Sequence, residues 1–170
     1  TAVRIEANDI YTSMQTGVID ATEWVGPYND VSLGLHETAR YYYYPGWQEG
    51  GPTLEVIVNK DAWNSLPADL QAILETASLA ANTDMLAEYT FGNSTRLRDL
   101  QEQGVELRQL PQDVLDKLKE LSYKEISKIP SADDELSQRI YNSYNEYRKS
   151  VINYHQISER AFINVRGDGE

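Results

Sequence analysis

A nucleophile needs an activating base, and a catalytic metal needs ligands that leave one position open. The 170-residue chain has no cysteine, which removes thiolate nucleophiles, zinc thiolate sites and disulfides together. His36 and His155 lie far apart, and His36 has no second His or carboxylate at a firm ligand spacing. Both read as ordinary surface or half-buried imidazoles. Gly-x-Ser-x-Gly, a Gly-rich phosphate loop and His-Glu-x-x-His are all absent. What remains are carboxylates beside turns: Glu23 in Glu23-Trp24-Val25-Gly26-Pro27, and Glu49 in Trp47-Gln48-Glu49-Gly50. Two such groups can work as acid and base in glycoside hydrolysis, yet no other part of such a site is visible. On spacing alone Glu23 is a solvated carboxylate. On these absences the sequence is not read as an enzyme.

The net charge of −12 argues against attraction to nucleic acid or anionic lipid, and suits a cationic partner or a bound metal ion. With 41% hydrophobic residues, twelve Tyr and three Trp, the chain has apolar area for one domain with a core. No apolar run approaches the roughly 18 to 20 residues that cross a bilayer. Without a starting Met or a signal peptide, the chain reads as a processed or cropped piece. Asn93-Ser94-Thr95 and Arg166-Gly167-Asp168 are short patterns that arise by chance, and no function is assigned to either.

The elements that must carry these residues are mostly helical. A strand is expected at Ala2 to Ala7, then a short helix from Ile10 to Thr16, with Asp9 as N-cap and Gly17 as its stop. A strand from Val18 to Val25 leads into Gly26-Pro27, and a helix from Tyr28 to Ala39 follows. Tyr41 to Tyr44 is a strand ended by Pro45-Gly46, and its four rings must alternate between faces. Leu54 to Val58 is expected as another strand, followed by a short helical turn at Asp61 to Ser65. From Pro67 a long helix runs to Gln103, stopped by Gly104, with Leu70, Ile73, Leu74, Ala77 and Ala81 as its buried row. Val105 to Leu110 is a short strand, and Pro111 opens a helix through Leu115, Leu118, Leu121 and Ile126. Ser131 with Asp134 forms a capping-box-like start for a last helix over about Ala132 to Phe162. Residues 164–170 are a frayed tail.

The block from Ile10 to Asp30, Ile-Tyr-Thr-Ser-Met-Gln-Thr-Gly-Val-Ile-Asp-Ala-Thr-Glu-Trp-Val-Gly-Pro-Tyr-Asn-Asp, resembles the DctP-type solute receptors of TRAP (tripartite ATP-independent periplasmic) transporters. The likeness points to the branch that takes up 2-oxo acids, lactate and related carboxylates. It continues through Tyr41-Tyr-Tyr-Tyr-Pro-Gly-Trp-Gln-Glu-Gly50 and Val58-Asn-Lys-Asp-Ala-Trp-Asn-Ser-Leu-Pro-Ala-Asp-Leu-Gln71, and covers roughly residues 8–160.

The resemblance implies an α/β fold: the C-terminal half of a two-lobed periplasmic-binding-protein-like receptor, mostly helical, with four or five short strands and a long C-terminal helix. It divides the chain into the end of the second lobe and a crossing strand (1–24), cleft strands and the long helix (25–110), C-terminal helices (111–163) and a tail (164–170). About half of a family receptor would lie upstream, including its main ligand-pairing Arg and a Gln that helps hold a cation. Glu23, Trp24 and Glu49 match family positions that ligate Na⁺ or Ca²⁺, the Trp through its backbone carbonyl. A site completed by the upstream half would bridge protein carboxylates to the ligand's carboxylate. Trp24 and Trp47 either line the ligand cleft or serve as packed aromatics. The implied partners are a small organic acid and the TRAP membrane permease subunits, in an extracytoplasmic, periplasmic setting.

Ile140, Tyr144, Tyr147, Val151 and Tyr154 step by four and three residues, a coiled-coil spacing that predicts a homodimer through the last helix. The rival reading is a helical oligomerisation module that binds no ligand.

Overall fold

The computed structural model describes residues 1–131 and 134–167. The chain divides into two compact units, Thr1–Leu110 and Pro111–Glu170.

In the first unit, helix α1 (Ala7–Gln15) starts earlier than expected: Glu6 is its N-cap, and Asp9 lies inside the first turn, where an acidic side chain favours the helix dipole. The helix closes at Gly17, whose φ of +72° lets its N–H donate to the Met14 carbonyl and the Val18 N–H to that of Ser13. The helix expected from Tyr28 to Ala39 is split. Helix α2 (Pro27–Ser32) ends, Gly34 turns left-handed at φ +70°, and a separate 3₁₀ turn spans Leu35–Glu37.

Strand β1 (Tyr41–Tyr44) pairs in parallel with β2 (Glu106–Gln109), with Tyr41 opposite Glu106 and Tyr44 opposite Gln109. Parallel neighbours need a long crossover. Here it contains helix α3 (Lys60–Ser65), capped by the Asn59 side chain, and helix α4 (Ala68–Glu102). At the end of α4 the Gly104 N–H donates to Gln101 and the Val105 N–H to Leu100. Leu100 and Val105 are both buried, so this closure pins the end of the helix where β2 begins. With Ile10 and Leu35 they make up the buried apolar core.

Three expected strands do not form. Ala2–Ala7, Val18–Val25 and Leu54–Val58 have no ladder, and the sheet among the described residues has two strands, not four or five. A strand is stable only when its N–H and C=O groups find a partner, and β-branched composition does not supply one. Val56 and Ile57 remain 76% and 82% exposed. The expected buried row on α4 is also corrected. Leu70, Ile73, Leu74, Ala77 and Ala81 are all exposed, because no described element lies over that face.

In the second unit, helix α5 (Gln112–Ile126) begins after Pro111 as its sequence predicts. The expected helix start at Ala132, and the Ser131 side chain of the expected capping box, lie outside the described residues. Helix α6 (Glu135–Ile157) is capped by Asp134, whose carboxylate accepts the Leu136 and Ser137 N–H groups at 3.1 Å. It does not run unbroken to Phe162. Ser158 leaves helical geometry at φ −104°, ψ −110°, and its hydroxyl donates to the Tyr154 carbonyl, a back-bond that bends helices. Helix α7 (Glu159–Arg166) follows, so Asn164 to Arg166 is helical where a tail was expected. Arg148 donates to the Tyr123 hydroxyl at 3.2 Å and ties α6 to α5. No helix among the described residues is long and apolar enough to cross a membrane.

Candidate functional site

Glu23 and Trp24 sit at the end of an irregular run, and their position depends on how α2 starts. Asp30, on that helix, reaches back: its Oδ1 accepts the Val25 and Gly26 N–H groups, each at 3.2 Å. Its Oδ2 accepts the Tyr42 hydroxyl at 2.6 Å. Asp30 is 8% exposed, and a buried carboxylate is tolerable only when hydrogen-bonded in this way. Burial first, and then the bond to Asp30, push the Tyr42 phenol far above its ordinary value of 10.0.

From the other side, α4 holds α2 in place. Asn93 Oδ1 accepts the Tyr28 N–H at 2.9 Å, serving as a cap supplied from a distant element. The Tyr28 ring lies over Gly92, where an added Cβ would come within 2.9 Å of it. The ring also meets Tyr89 edge-on at 5.6 Å, and its hydroxyl donates to Glu88 at 3.0 Å.

Strand β1 carries the second loop. It leaves through a cis Tyr44–Pro45 peptide into a turn in which the Glu49 N–H donates to the Gly46 carbonyl at 3.3 Å. Trp47 and Glu49 lie on this turn. Of the four tyrosines only Tyr42 is half-buried; Tyr41, Tyr43 and Tyr44 are exposed. The Arg108 guanidinium stacks 3.5 Å from the centre of the Tyr41 ring and pairs with Glu106, which Arg40 also engages. The bond from Arg108, with that from Arg40, holds the Glu106 carboxyl below its ordinary value.

Of the residues singled out from sequence, Glu23 and Glu49 are exposed, Trp24 is half-buried and Trp47 is 48% exposed. Among the described residues neither glutamate side chain takes part in a hydrogen bond or ion pair, so both have oxygens free for a hard cation. Two carboxylates and the Trp24 carbonyl have the right chemistry for Na⁺ or Ca²⁺. Calcium takes about six to eight oxygens, so these donors form only part of a shell. In keeping with that, no group of three or more His, Cys, Asp or Glu converges as a metal site among the described residues. His36 is half-buried, with an Nδ1 lacking a partner among them, and His155 lies 3.4 Å from Glu159.

Sequence reasoning passed over Asp30, Tyr42, Gly92 and Asn93. Asp30 had a local signal, an acidic residue in the first turns after Gly-Pro, which is where a side chain can reach back to N-terminal amides. Asn93 had been set aside as part of a chance sequon, and nothing local pairs it with Tyr28.

The chain is similar to known proteins over most of its length. The chain is 37% identical over 166 residues to a monocarboxylate 2-oxoacid-binding periplasmic protein of Nostoc sp., covering 98% of this chain and 45% of that protein. It is 36% identical over 83 residues to the C4-dicarboxylate-binding periplasmic protein DctP of Rhodobacter capsulatus, covering 45% of this chain and 22% of that one. A TRAP transporter solute-binding protein from Bordetella bronchiseptica, crystallised as a dimer with copurified calcium and picolinate, superposes with a TM-score of 0.90 at 32% identity, over 96% of this chain and 48% of that one. A TRAP periplasmic solute-binding protein from Colwellia psychrerythraea, with bound calcium and pyruvate, does so with a TM-score of 0.88 at 34% identity, over 95% and 49%. The chain thus spans about half the length, or less, of the relatives it matches. Residues 1–133 match the family of bacterial extracellular solute-binding proteins, family 7 (DctP), and the chain belongs to that family.

Proposed function

We propose that this chain is the C-terminal half of an extracytoplasmic TRAP solute receptor, which captures a small monocarboxylate with a calcium ion and delivers it to a membrane permease. The observation that carries the reading is the pair of unengaged carboxylates, Glu23 and Glu49, on two loops joined through the Asp30–Tyr42 bond. A carboxylate ligand would be repelled by them unless a cation stood between. Picolinate and pyruvate, bound with calcium in the two similar structures, share one feature: a second donor atom on the carbon next to the carboxylate. That arrangement chelates a hard cation, so the favoured ligand class is 2-oxo and 2-hydroxy acids. In this reading the chain binds and does no chemistry. The exposed apolar residues of Leu54–Val58 and the first part of α4 are then surface that the other half of the receptor covers.

Calorimetry tests this. The complete receptor is expected to bind pyruvate in calcium, and to lose binding when calcium is chelated or when Glu23→Gln is introduced. Binding indifferent to both would overturn the proposal. The 170-residue chain alone is expected to bind at least tenfold more weakly, since losing an Arg–carboxylate pair costs roughly 2 to 5 kcal/mol.

Dimerisation through α6 belongs to the same proposal. Ile140, Tyr144, Tyr147 and Tyr154 form an exposed seam on a helix about 35 Å long. Sedimentation at micromolar concentration is expected to show a dimer that Tyr147→Glu with Val151→Glu dissociates. A clean monomer would refute it.

A further inference from the structure

A peptide unit is planar and trans, so its N–H and C=O point in opposite directions. The Trp24 carbonyl and the Val25 N–H belong to one such unit. That N–H donates to Asp30 Oδ1, and the following N–H, of Gly26, donates to the same oxygen. Holding the Val25 N–H towards Asp30 therefore turns the Trp24 carbonyl oxygen away from it. The geometry points to Asp30 as the positioning residue of the cation site: its buried carboxylate aims the Trp24 carbonyl and, through Tyr42, ties that carbonyl's loop to the strand leading to Trp47 and Glu49.

This rests on the reading of Glu23, Trp24 and Glu49 as cation ligands and says what sets them. Asp30 itself stays out of the coordination sphere, since both of its oxygens are occupied by protein donors. Its charge does a second thing. An anion at the N–H end of a peptide polarises the unit and makes its carbonyl oxygen more negative, a better donor to a hard cation. The anchor is firm because Asp30 is 8% exposed and its helix is capped by Asn93 from α4. The Tyr42 bond matters for another reason. It is the shortest of the three, and it fixes the first loop against the strand from which the second one leaves.

Two readouts test the assignment. In this chain, hydrogen exchange at the Val25 amide is expected to be slow, at least tenfold faster in Asp30→Ala, and slow again in Asp30→Asn, whose Oδ1 still accepts. In the complete receptor, calcium alone is titrated calorimetrically. Partners behind a metal ligand are typically worth about 10- to 100-fold in affinity, and Asp30→Ala is expected to lose that much. Asp30→Asn, which keeps the geometry and drops the charge, is expected to recover most of it. If Asp30→Ala does not fold, Tyr42→Phe carries the test, because it leaves both amide bonds in place and is expected to weaken calcium severalfold. Wild-type calcium affinity in a folded Asp30→Ala or Tyr42→Phe, with Glu23→Gln losing affinity, would overturn the role of Asp30 alone. Wild-type affinity in Glu23→Gln as well would overturn the cation site itself.

Discussion

The two ends of α4 behave differently although both carry apolar side chains at helical spacing. From Gly92 onward the helix is packed: Gly92 lies under Tyr28, Asn93 caps α2, and Leu100 is 1% exposed beside Val105. Before Glu88, which with Tyr89 still meets Tyr28, the same helix is open, with Ile73, Leu79 and Leu86 exposed. An amphipathic row therefore states what a helix can bury, and a neighbouring element decides whether it does. The packed end supports α2 and, through it, the loop that bears Glu23 and Trp24. Towards the open end the Gln71 side chain donates to the Trp63 and Leu66 carbonyls and so ties the helix to the turn before it.

The largest contrast should come from matched truncations. Leu100→Ala is expected to cost about 2 to 5 kcal/mol, whereas Leu79→Ala should stay within about 0.5 kcal/mol, as read by denaturant unfolding of the chain. Equal costs would erase the distinction between the two ends. Gly92→Ala probes the packed end by addition. The new methyl meets the root of the Tyr28 ring, which α2 holds, at a cost of about 1 to 3 kcal/mol, against about 1 kcal/mol gained in helix propensity. In a Tyr28→Ala background the same substitution should become neutral or stabilising. A penalty that persisted there would mean the Tyr28 contact is not its source.

The smallest effect is a pH slope. The folded protein holds the Tyr42 proton more tightly than the unfolded chain does, since its pKa is raised above 10.0. Below that pH both states are protonated, and Tyr42 adds no pH dependence. Above it the unfolded chain releases the proton and the folded one does not, so stability falls as pH rises. Melting curves between about pH 10 and 12 should slope less steeply in Tyr42→Phe than in wild type. Parallel slopes would show that the phenol is not held in this way.

Much of the fold was legible because element ends depend on chemistry within a few residues. Gly17 and Gly104 close their helices through left-handed turns, and Pro27 and Pro111 mark helix starts, whereas α6 is capped by Asp134 itself, three residues beyond the expected cap at Ser131. The parallel pairing of β1 and β2 and the failure of Leu54–Val58 to form a strand were not legible, because a ladder depends on what stands alongside. The site divides in the same way. Glu23, Trp24, Trp47 and Glu49 stood out by local pattern and family likeness, which name residue types but not the atoms that hold them. Asp30 needed Tyr42, twelve positions on, and the start of α2 needed Asn93, sixty-five positions beyond Tyr28. The sequence by itself determined the glycines that close α1 and α4 and the prolines that open α2 and α5, and it offered Glu23, Trp24 and Glu49 as candidate oxygen donors. Only the tertiary structure decided which apolar faces are covered and which carboxylate is buried among distant donors, because burial and long-range hydrogen bonds exist only once distant segments meet.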